Sequence, residues 1–147
     1  NGSARYELAA DFSLPSPDIN ATVFSCLREA GFKIVFLPVY NAYKSPYWIL
    51  NAISNIPLAI QAGLGVEVYM VPNYHLFEEG PKQMTLFDEG SAQMTDVLKG
   101  FESANFEIRR IWVKVKSREG MEENWNNTRA FFTQFISTAR VLDCIVS

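Results

Sequence analysis

The feature that most constrains this 147-residue chain is the regular alternation of short apolar runs with segments of helical periodicity. The runs are rich in β-branched and aromatic residues, and the run over residues 33–40 is almost continuously apolar, as in a strand covered on both faces. Between the runs, apolar residues recur every three or four positions, which is typical of amphipathic helices. Because strand and helix alternate four times, the sequence predicts parallel βαβ units.

The boundaries of these elements follow from glycine, proline and capping residues. Pro38 is expected to end the second strand, Pro57 to kink or split the second helix near Asn55, and Ser91 to cap the third helix after an irregular segment over residues 73–90. The predicted strands cover residues 8–12, 33–40, 66–71, 111–115 and 142–146, and the predicted helices cover residues 20–30, 45–63, from 91 onward and 125–140.

These elements predict a single α/β domain over residues 1–147, with about five strands and four helices in a partial (β/α) barrel or an open parallel sheet. A closed barrel of this kind needs eight strand–helix units and usually about 250 residues. Five parallel strands leave two unpaired edges. Three outcomes are therefore possible: an open sheet with reordered strands, a homodimer joined through a sheet edge, or a fragment of a longer parent. We favour an open or partly closed sheet.

Composition and charge narrow the functional classes. With 48% hydrophobic and 20% charged residues, the chain has an ordinary globular composition, and it contains no apolar run long enough to span a membrane. The net charge of -3 argues against a nucleic-acid partner. Five of the 13 basic residues nevertheless lie in one short segment, where they favour an anion: Arg109, Arg110, Lys114, Lys116 and Arg118.

Two sequons and two cysteines bear on the compartment. Asn20 and Asn126 each begin an Asn-x-Thr triplet, which favours a secreted or vesicular glycoprotein. In such a compartment Cys26 and Cys144 either form a disulfide or remain two buried thiols, and the sequence leaves both alternatives open. His75 is the single histidine and no cysteine lies near it in sequence, so we expect no metal or other cofactor.

Several motifs, in order along nearly the whole chain, give it a resemblance to a known family. They are Asp11-Phe12-Ser13 after the first strand, residues 24–32 through the first helix, Leu37-Pro38-Val39-Tyr40, Tyr69-Met70-Val71-Pro72, and Ile111-Trp112-Val113-Lys114-Val115-Lys116. Together they resemble the lysozymes of glycoside hydrolase family 25, in particular the nematode and protist-type branch.

The resemblance implies a (β/α) barrel enzyme that cleaves the glycan of bacterial cell walls, with acids at the C-terminal ends of its strands. Asp11 matches the acid that the family places after strand one. Lys114 and Lys116 occupy the positions of the family's Asp-x-Glu pair, whose Glu is the general acid. A further family acid belongs to a late strand that this chain does not contain.

Those two lysines argue against glycoside hydrolysis. Cleavage needs one carboxylic acid to protonate the leaving oxygen and a second group to stabilise the positive charge that develops on the sugar. A lysine ammonium, with an ordinary pKa near 10, is a poor general acid at neutral pH and opposes that positive charge. We expect Asp11, left without its acidic neighbours, to form an ion pair with Lys114 or Lys116.

The first interpretation is therefore a secreted, catalytically degenerate lysozyme-like protein that binds a peptidoglycan-like glycan or a protein partner, including a role in host–microbe interaction. Its candidate substrate-binding residues are Asp11, Tyr40, Tyr74 and Trp112. One alternative is an active peptidoglycan hydrolase that uses other acids, such as Glu67, Asp88 or Glu119. The other alternative is an interaction protein that associates through an open sheet edge.

Overall fold

A computed structural model describes residues 7–12, 19–41, 48–72, 86–115, 125–142 and 144–147. In this part of the chain five strands alternate with four helices, as predicted. The strands are β1 (Leu8–Asp11), β2 (Phe32–Asn41), β3 (Gly65–Val71), β4 (Arg110–Val113) and β5 (Ile145–Val146), and the helices are α1 (Ala21–Glu29), α2 (Trp48–Gln61), α3 (Leu86–Ser103) and α4 (Trp125–Val141).

All five strands are parallel and lie side by side in their order along the chain, β1-β2-β3-β4-β5. Each strand connects to its neighbour through a helix, and right-handed crossovers between sequential neighbours place successive helices on the same face of the sheet. The helices accordingly pack in sequence, α1 on α2, α2 on α3 and α3 on α4. The sheet is open and is not closed into a barrel, and its strands are not reordered.

The limits of α1 show how local chemistry sets an element. The side chain of Asn20 accepts hydrogen bonds from the backbone N–H groups of Thr22 and Val23, at 3.0 and 3.3 Å, which satisfies two donors that a helix start leaves free. At the other end Gly31 has φ of +93°, a left-handed conformation that glycine adopts without a steric penalty. The predicted helix is therefore confirmed at both ends.

The hydrophobic core lies between the sheet and the helices. From β2 it takes the alternate residues Val35, Leu37 and Val39, whose side chains are almost fully buried. From α4 it takes Phe131 and Phe135, whose rings stack at a centroid distance of 5.8 Å. The opposite set of residues on each strand therefore lies on the face that carries none of the described helices.

The structure differs from the prediction at two prolines and at the start of α3. β2 continues past Pro38 to Asn41, and its register with β3 shifts between Pro38 and Tyr40, so a bulge accommodates the missing N–H. α2 continues through Pro57 as one helix, so the predicted split is absent, because burial of Ala52, Ile56 and Ala59 outweighs one lost backbone hydrogen bond.

The third helix begins at Leu86, five residues before the predicted cap, and therefore includes Gly90. A Cβ atom built on Gly90 would lie 2.5 Å from the backbone oxygen of Phe131, so this glycine allows α3 and α4 to approach closely. A glycine in a helix usually lowers helix propensity. Here it serves tertiary packing, which the sequence pattern did not reveal.

Candidate functional site

The register of the strands brings six side chains together on the face that carries no described helix. Paired residues of parallel strands point to the same face. Asp11 pairs with Phe36 and Phe36 pairs with Glu67, so these three residues form one row across β1, β2 and β3. Tyr69 pairs with Trp112 one step further along the strands. We call this face, with Asp11, Phe36, Glu67, Tyr69, Trp112 and Lys114, the helix-free face.

An ion pair joins the ends of β1 and β4 on the helix-free face. The Nζ atom of Lys114 lies 3.0 Å from Oδ2 of Asp11, and the two side chains are 47% and 46% exposed. The backbone N–H of Lys114 donates to the carbonyl of Met70 at 2.9 Å, which fixes the lysine just beyond the end of β4. The pairing expected between Asp11 and one of the two lysines is present, with Lys114 as the partner.

Tyr69 is the centre of the cluster, and its place there was not predicted. The ammonium group of Lys114 lies 5.2 Å from the centroid of the Tyr69 ring, within the range of a cation–π interaction. The tyrosine hydroxyl donates to the carbonyl of Phe12 at 3.0 Å. Alternation along β3 and the position of Tyr69 near the strand's end were the available indications.

Burial is the main reason that the pKa of Tyr69 is raised, and the neighbouring Asp11 carboxylate raises it further. The phenol has a single proton, and the 3.0 Å distance assigns it to the Phe12 carbonyl, so Asp11 acts on it mainly through its charge. Tyr69 therefore stays protonated and neutral at every physiological pH. It is a fixed hydrogen-bond donor that ties β3 to the end of β1.

Trp112 presents a positioned aromatic surface. Its indole Nε1 donates to Oε2 of Glu67 at 2.9 Å, and its ring makes an edge contact with Phe36 at a centroid distance of 5.8 Å. The side chain remains 37% exposed. The ring is thus held by two neighbours and still reaches solvent, as a surface for stacking a ligand requires.

Of the two remaining predicted binding residues, the structure describes Tyr40. Tyr40 is partly buried and packs against the hydrophobic core. Tyr74 and Lys116 lie outside the described residues, as do His75 and Glu119, and the side chain of Asp88 lies outside them as well.

The basic segment is divided by the fold. Arg109 forms an ion pair with Glu107 at 2.9 Å, and both side chains are largely exposed. The neighbouring strand residues Arg110, Trp112 and Lys114 alternate with the core residue Ile111, so they lie on the helix-free face. The cations that are grouped in the sequence therefore have different acidic partners, Glu107 for Arg109 and Asp11 for Lys114.

The two cysteines are free thiols, so the disulfide alternative is wrong for this structure. Cys26 is exposed on α1, near the β1 edge of the sheet, whereas Cys144 is buried directly before β5 at the other edge. The second alternative, two buried thiols, holds for Cys144 only. Burial also raises the pKa of the Cys144 thiol, which keeps it protonated.

Both sequon asparagines are exposed. Asn20 uses its side-chain oxygen as the cap of α1, which leaves its amide nitrogen for a glycan. Asn126 lies in the first turn of α4, where Thr128 of the same sequon is buried.

Within the described ranges, no three His, Cys, Asp or Glu side chains are grouped to bind a metal ion. None of the described helices has the length and apolar character to cross a membrane.

Comparison with known proteins identifies the class. Residues 2–147 match the family described as Lysozyme-like protein 1, and the chain belongs to that family. Among relatives from Caenorhabditis elegans, Lysozyme-like protein 2 is 30% identical over 94% of this chain and 43% of its own length. Lysozyme-like protein 3 is 32% identical over 76% of this chain and 32% of its own length. The chain therefore spans less than half the length of these curated relatives.

A solved structure shares the fold. The catalytic domain of an endolysin from a Listeria monocytogenes bacteriophage superposes with a TM-score of 0.56 at 16% sequence identity. The match covers 99% of this chain and 63% of the endolysin chain. The fold of this chain is thus similar to that of part of a longer catalytic domain.

Proposed function

We propose that this chain is a catalytically degenerate lysozyme-like domain that binds a peptidoglycan-like glycan on its helix-free face. The observation that carries the proposal is the ion pair between Asp11 and Lys114, with 3.0 Å between Oδ2 and Nζ. It lies at the C-terminal ends of β1 and β4, where parallel α/β folds bind their ligands. Membership of a lysozyme-like family supports a glycan as the ligand class.

The ion pair opposes hydrolysis in two ways. One oxygen of the Asp11 carboxylate is engaged by the Lys114 ammonium group at 3.0 Å, so it is not free to meet a leaving oxygen. The positive charge of Lys114 also raises the energy of an oxocarbenium-like transition state beside it. The strand-four positions that the glycoside hydrolase family 25 resemblance assigns to two acids, Lys114 and Lys116, supply neither an acid nor a negative charge.

Binding needs different features, and the helix-free face has them. Trp112 offers an exposed ring that Glu67 and Phe36 hold in place. Aromatic rings stack on the apolar faces of sugars, and fixed polar groups beside them orient the hydroxyls. The Asp11 carboxylate, 46% exposed, retains acceptor sites for a hydroxyl beyond the bond to Lys114.

The test combines binding and hydrolysis on purified bacterial cell walls. We expect the native chain to sediment with the walls and to release no reducing ends, and Trp112→Ala to weaken sedimentation. The variant with Lys114→Asp and Lys116→Glu asks whether the rest of the site supports cleavage. Hydrolysis by the native chain that is abolished in Asp11→Asn contradicts the proposal, and absence of sedimentation contradicts glycan binding.

A second candidate, an active hydrolase, is favoured by the row that contains Asp11 and Glu67. These carboxylates come from strands two apart, so their Cα atoms are separated by about 10 Å. Inverting glycosidases hold their two carboxyl groups roughly 6.5–9.5 Å apart. Phe36 lies between the two positions, and the indole of Trp112 occupies one Glu67 oxygen. Wall hydrolysis that Glu67→Gln removes, with sedimentation intact, is the result that selects this candidate.

The edges of the sheet support a third candidate, association through an edge strand. Leu8 on β1 and Ile145 on β5 are 53% and 58% exposed, and each of these strands has one neighbour in the described sheet. A homodimer formed this way is expected to double the mass in light scattering. Replacing Ile145 with lysine should return the species to a monomer.

We also propose that the protein is secreted and carries a glycan on Asn20, since the capping oxygen of this residue leaves the amide nitrogen available. Expression through a secretory pathway should give a product whose mass falls on treatment with a peptide N-glycosidase. Thr22→Ala removes the sequon and leaves the capping oxygen in place. Loss of the mass shift in this variant assigns the glycan to Asn20.

A further inference from the structure

Arg110, on β4 and on the helix-free face, differs from its charged neighbours in having no ion-pair partner among the described residues. Lys114 is neutralised by Asp11, and Arg109, which directly precedes β4, is neutralised by Glu107. Arg110 is exposed and forms no ion pair with any residue that the structure describes. It is therefore the one guanidinium or ammonium group of described β4 and its flanking residues that is still available to an anion.

The indole of Trp112 helps to keep the Arg110 guanidinium available to an anion. Glu67 lies on the adjacent strand β3, and the register of β3 and β4 makes it the carboxylate nearest to Arg110 on the helix-free face. Its Oε2, however, accepts the indole N–H of Trp112 at 2.9 Å. Glu67 is thus directed toward Trp112 and does not form a salt bridge with Arg110. Its other oxygen, Oε1, has lone pairs that can accept a hydroxyl.

Arg110 also borders a recess. β3 and β4 pair at only two positions, Tyr69 with Trp112 and Met70 with Val113, so their N-terminal halves leave space between them. A cavity of about 530 Å³ lies there and includes Glu67, Arg110 and Ile145, but most of its lining comes from α2, the core face of β3 and residues 106–109, and Trp112 does not line it. The stacking surface and Arg110 are instead related by their positions two residues apart on β4. The Cα atoms of Arg110 and Trp112 are about 6.6 Å apart, so one saccharide unit on the indole reaches the guanidinium.

We infer that Arg110 makes the site selective for saccharides that carry a free carboxylate. This inference rests on the proposed glycan binding. The sugar ring stacks on Trp112, its carboxylate accepts two parallel N–H bonds from the planar guanidinium, and a hydroxyl donates to Glu67. Arginine provides this fork geometry for carboxylates, whereas lysine acts as a point charge.

Two matched pairs of probes test the inference by titration calorimetry. Digalacturonate and its methyl ester differ in a ring carboxylate, and the disaccharide of N-acetylglucosamine and N-acetylmuramic acid differs from chitobiose by an ether-linked carboxylate. We expect the native chain to bind the acidic member of at least one pair about tenfold more tightly, because hydrogen bonds between charged groups are strong. The pair that shows the preference identifies the source of the carboxylate.

Two arginine variants provide the matched comparison. Arg110→Gln should remove the preference and leave affinity for the neutral probes unchanged, whereas Arg109→Gln, at the neighbouring residue, should keep the preference. A preference that survives in Arg110→Gln, or that disappears equally in Arg109→Gln, overturns the inference. Equal affinity of the native chain for acidic and neutral probes overturns it too while leaving glycan binding intact. Failure to bind any of the four probes or bacterial cell walls contradicts the proposed function itself.

Discussion

Replacing Gly90 with alanine tests whether the contact between α3 and α4 sets the packing of the helix layer. A Cβ atom at this position would lie 2.5 Å from the backbone oxygen of Phe131 and 3.3 Å from the backbone nitrogen of Phe135. The obstacle is backbone in a neighbouring helix, so no side-chain rotation relieves it. Restoring an ordinary contact requires the helices to move apart by about 0.9 Å, which disturbs a densely packed core.

Two effects of opposite sign determine how much Gly90→Ala changes the free energy of unfolding. Alanine is a better helix former than glycine by about 1 kcal/mol, so an isolated α3 would be stabilised by the change. Overpacking a core costs typically about 1–3 kcal/mol, and a clash with fixed backbone belongs at the upper end. The balance predicts a loss of about 2 kcal/mol in the free energy of unfolding, a large part of the roughly 5–15 kcal/mol that domains possess.

Urea denaturation followed by tryptophan fluorescence measures the change. With a slope of about 2 kcal/mol per molar urea, the midpoint should fall by about 1 M. Gly65→Ala is the matched control, since its Cβ would lie 3.4 Å from the carbonyl of Lys33, an ordinary contact. A Gly90→Ala midpoint equal to or above that of the native chain refutes the close-approach argument.

Three further outcomes follow from the geometry. Asn20→Ala should lower the free energy of unfolding by about 1 kcal/mol through loss of the α1 cap, whereas Thr22→Ala should change it far less; equal losses in unglycosylated protein contradict the capping role. Lys114→Met should change stability by less than about 1 kcal/mol, because the ion pair with Asp11 is half exposed; a larger loss in urea melts means that the lysine is structural. The native chain should lose stability as pH rises through about 10, because Tyr69 binds its proton more tightly when folded than when unfolded. Tyr69→Phe should lose less over the same pH range, and identical pH profiles contradict this assignment.

Element types were predictable because each rests on local chemistry. Asn20 and Gly31 mark the ends of α1 through a side-chain acceptor and a positive φ, both of which involve only nearby backbone. Departures occurred where tertiary contacts override local preference. Pro57 remains inside α2 because the apolar face of that helix is buried, and Gly90 remains inside α3 because α4 lies against it.

The sequence predicted the charged residues of the candidate site better than it predicted which side chains contact one another there. The lysines at the end of the fourth strand and Asp11 at the end of the first predicted an ion pair, and the pair with Lys114 is present. Tyr69 was not predicted as a site residue, because its role depends on reaching from β3 across to the carbonyl of Phe12 on the other side of β2. Tyr40 was predicted as a binding residue, and its side chain is partly buried against the core.

By itself, the sequence determined the order of strands and helices and the class of fold, because hydrophobic periodicity and capping act over a few residues. It also determined the charges at the strand ends, an acid at Asp11 and a base at Lys114, since these depend on residue type alone. Only the tertiary structure decided which of those residues meet. Register across parallel strands and the twofold alternation along each strand place Asp11, Tyr69 and Lys114 together, and the Arg109 side chain pairs with Glu107.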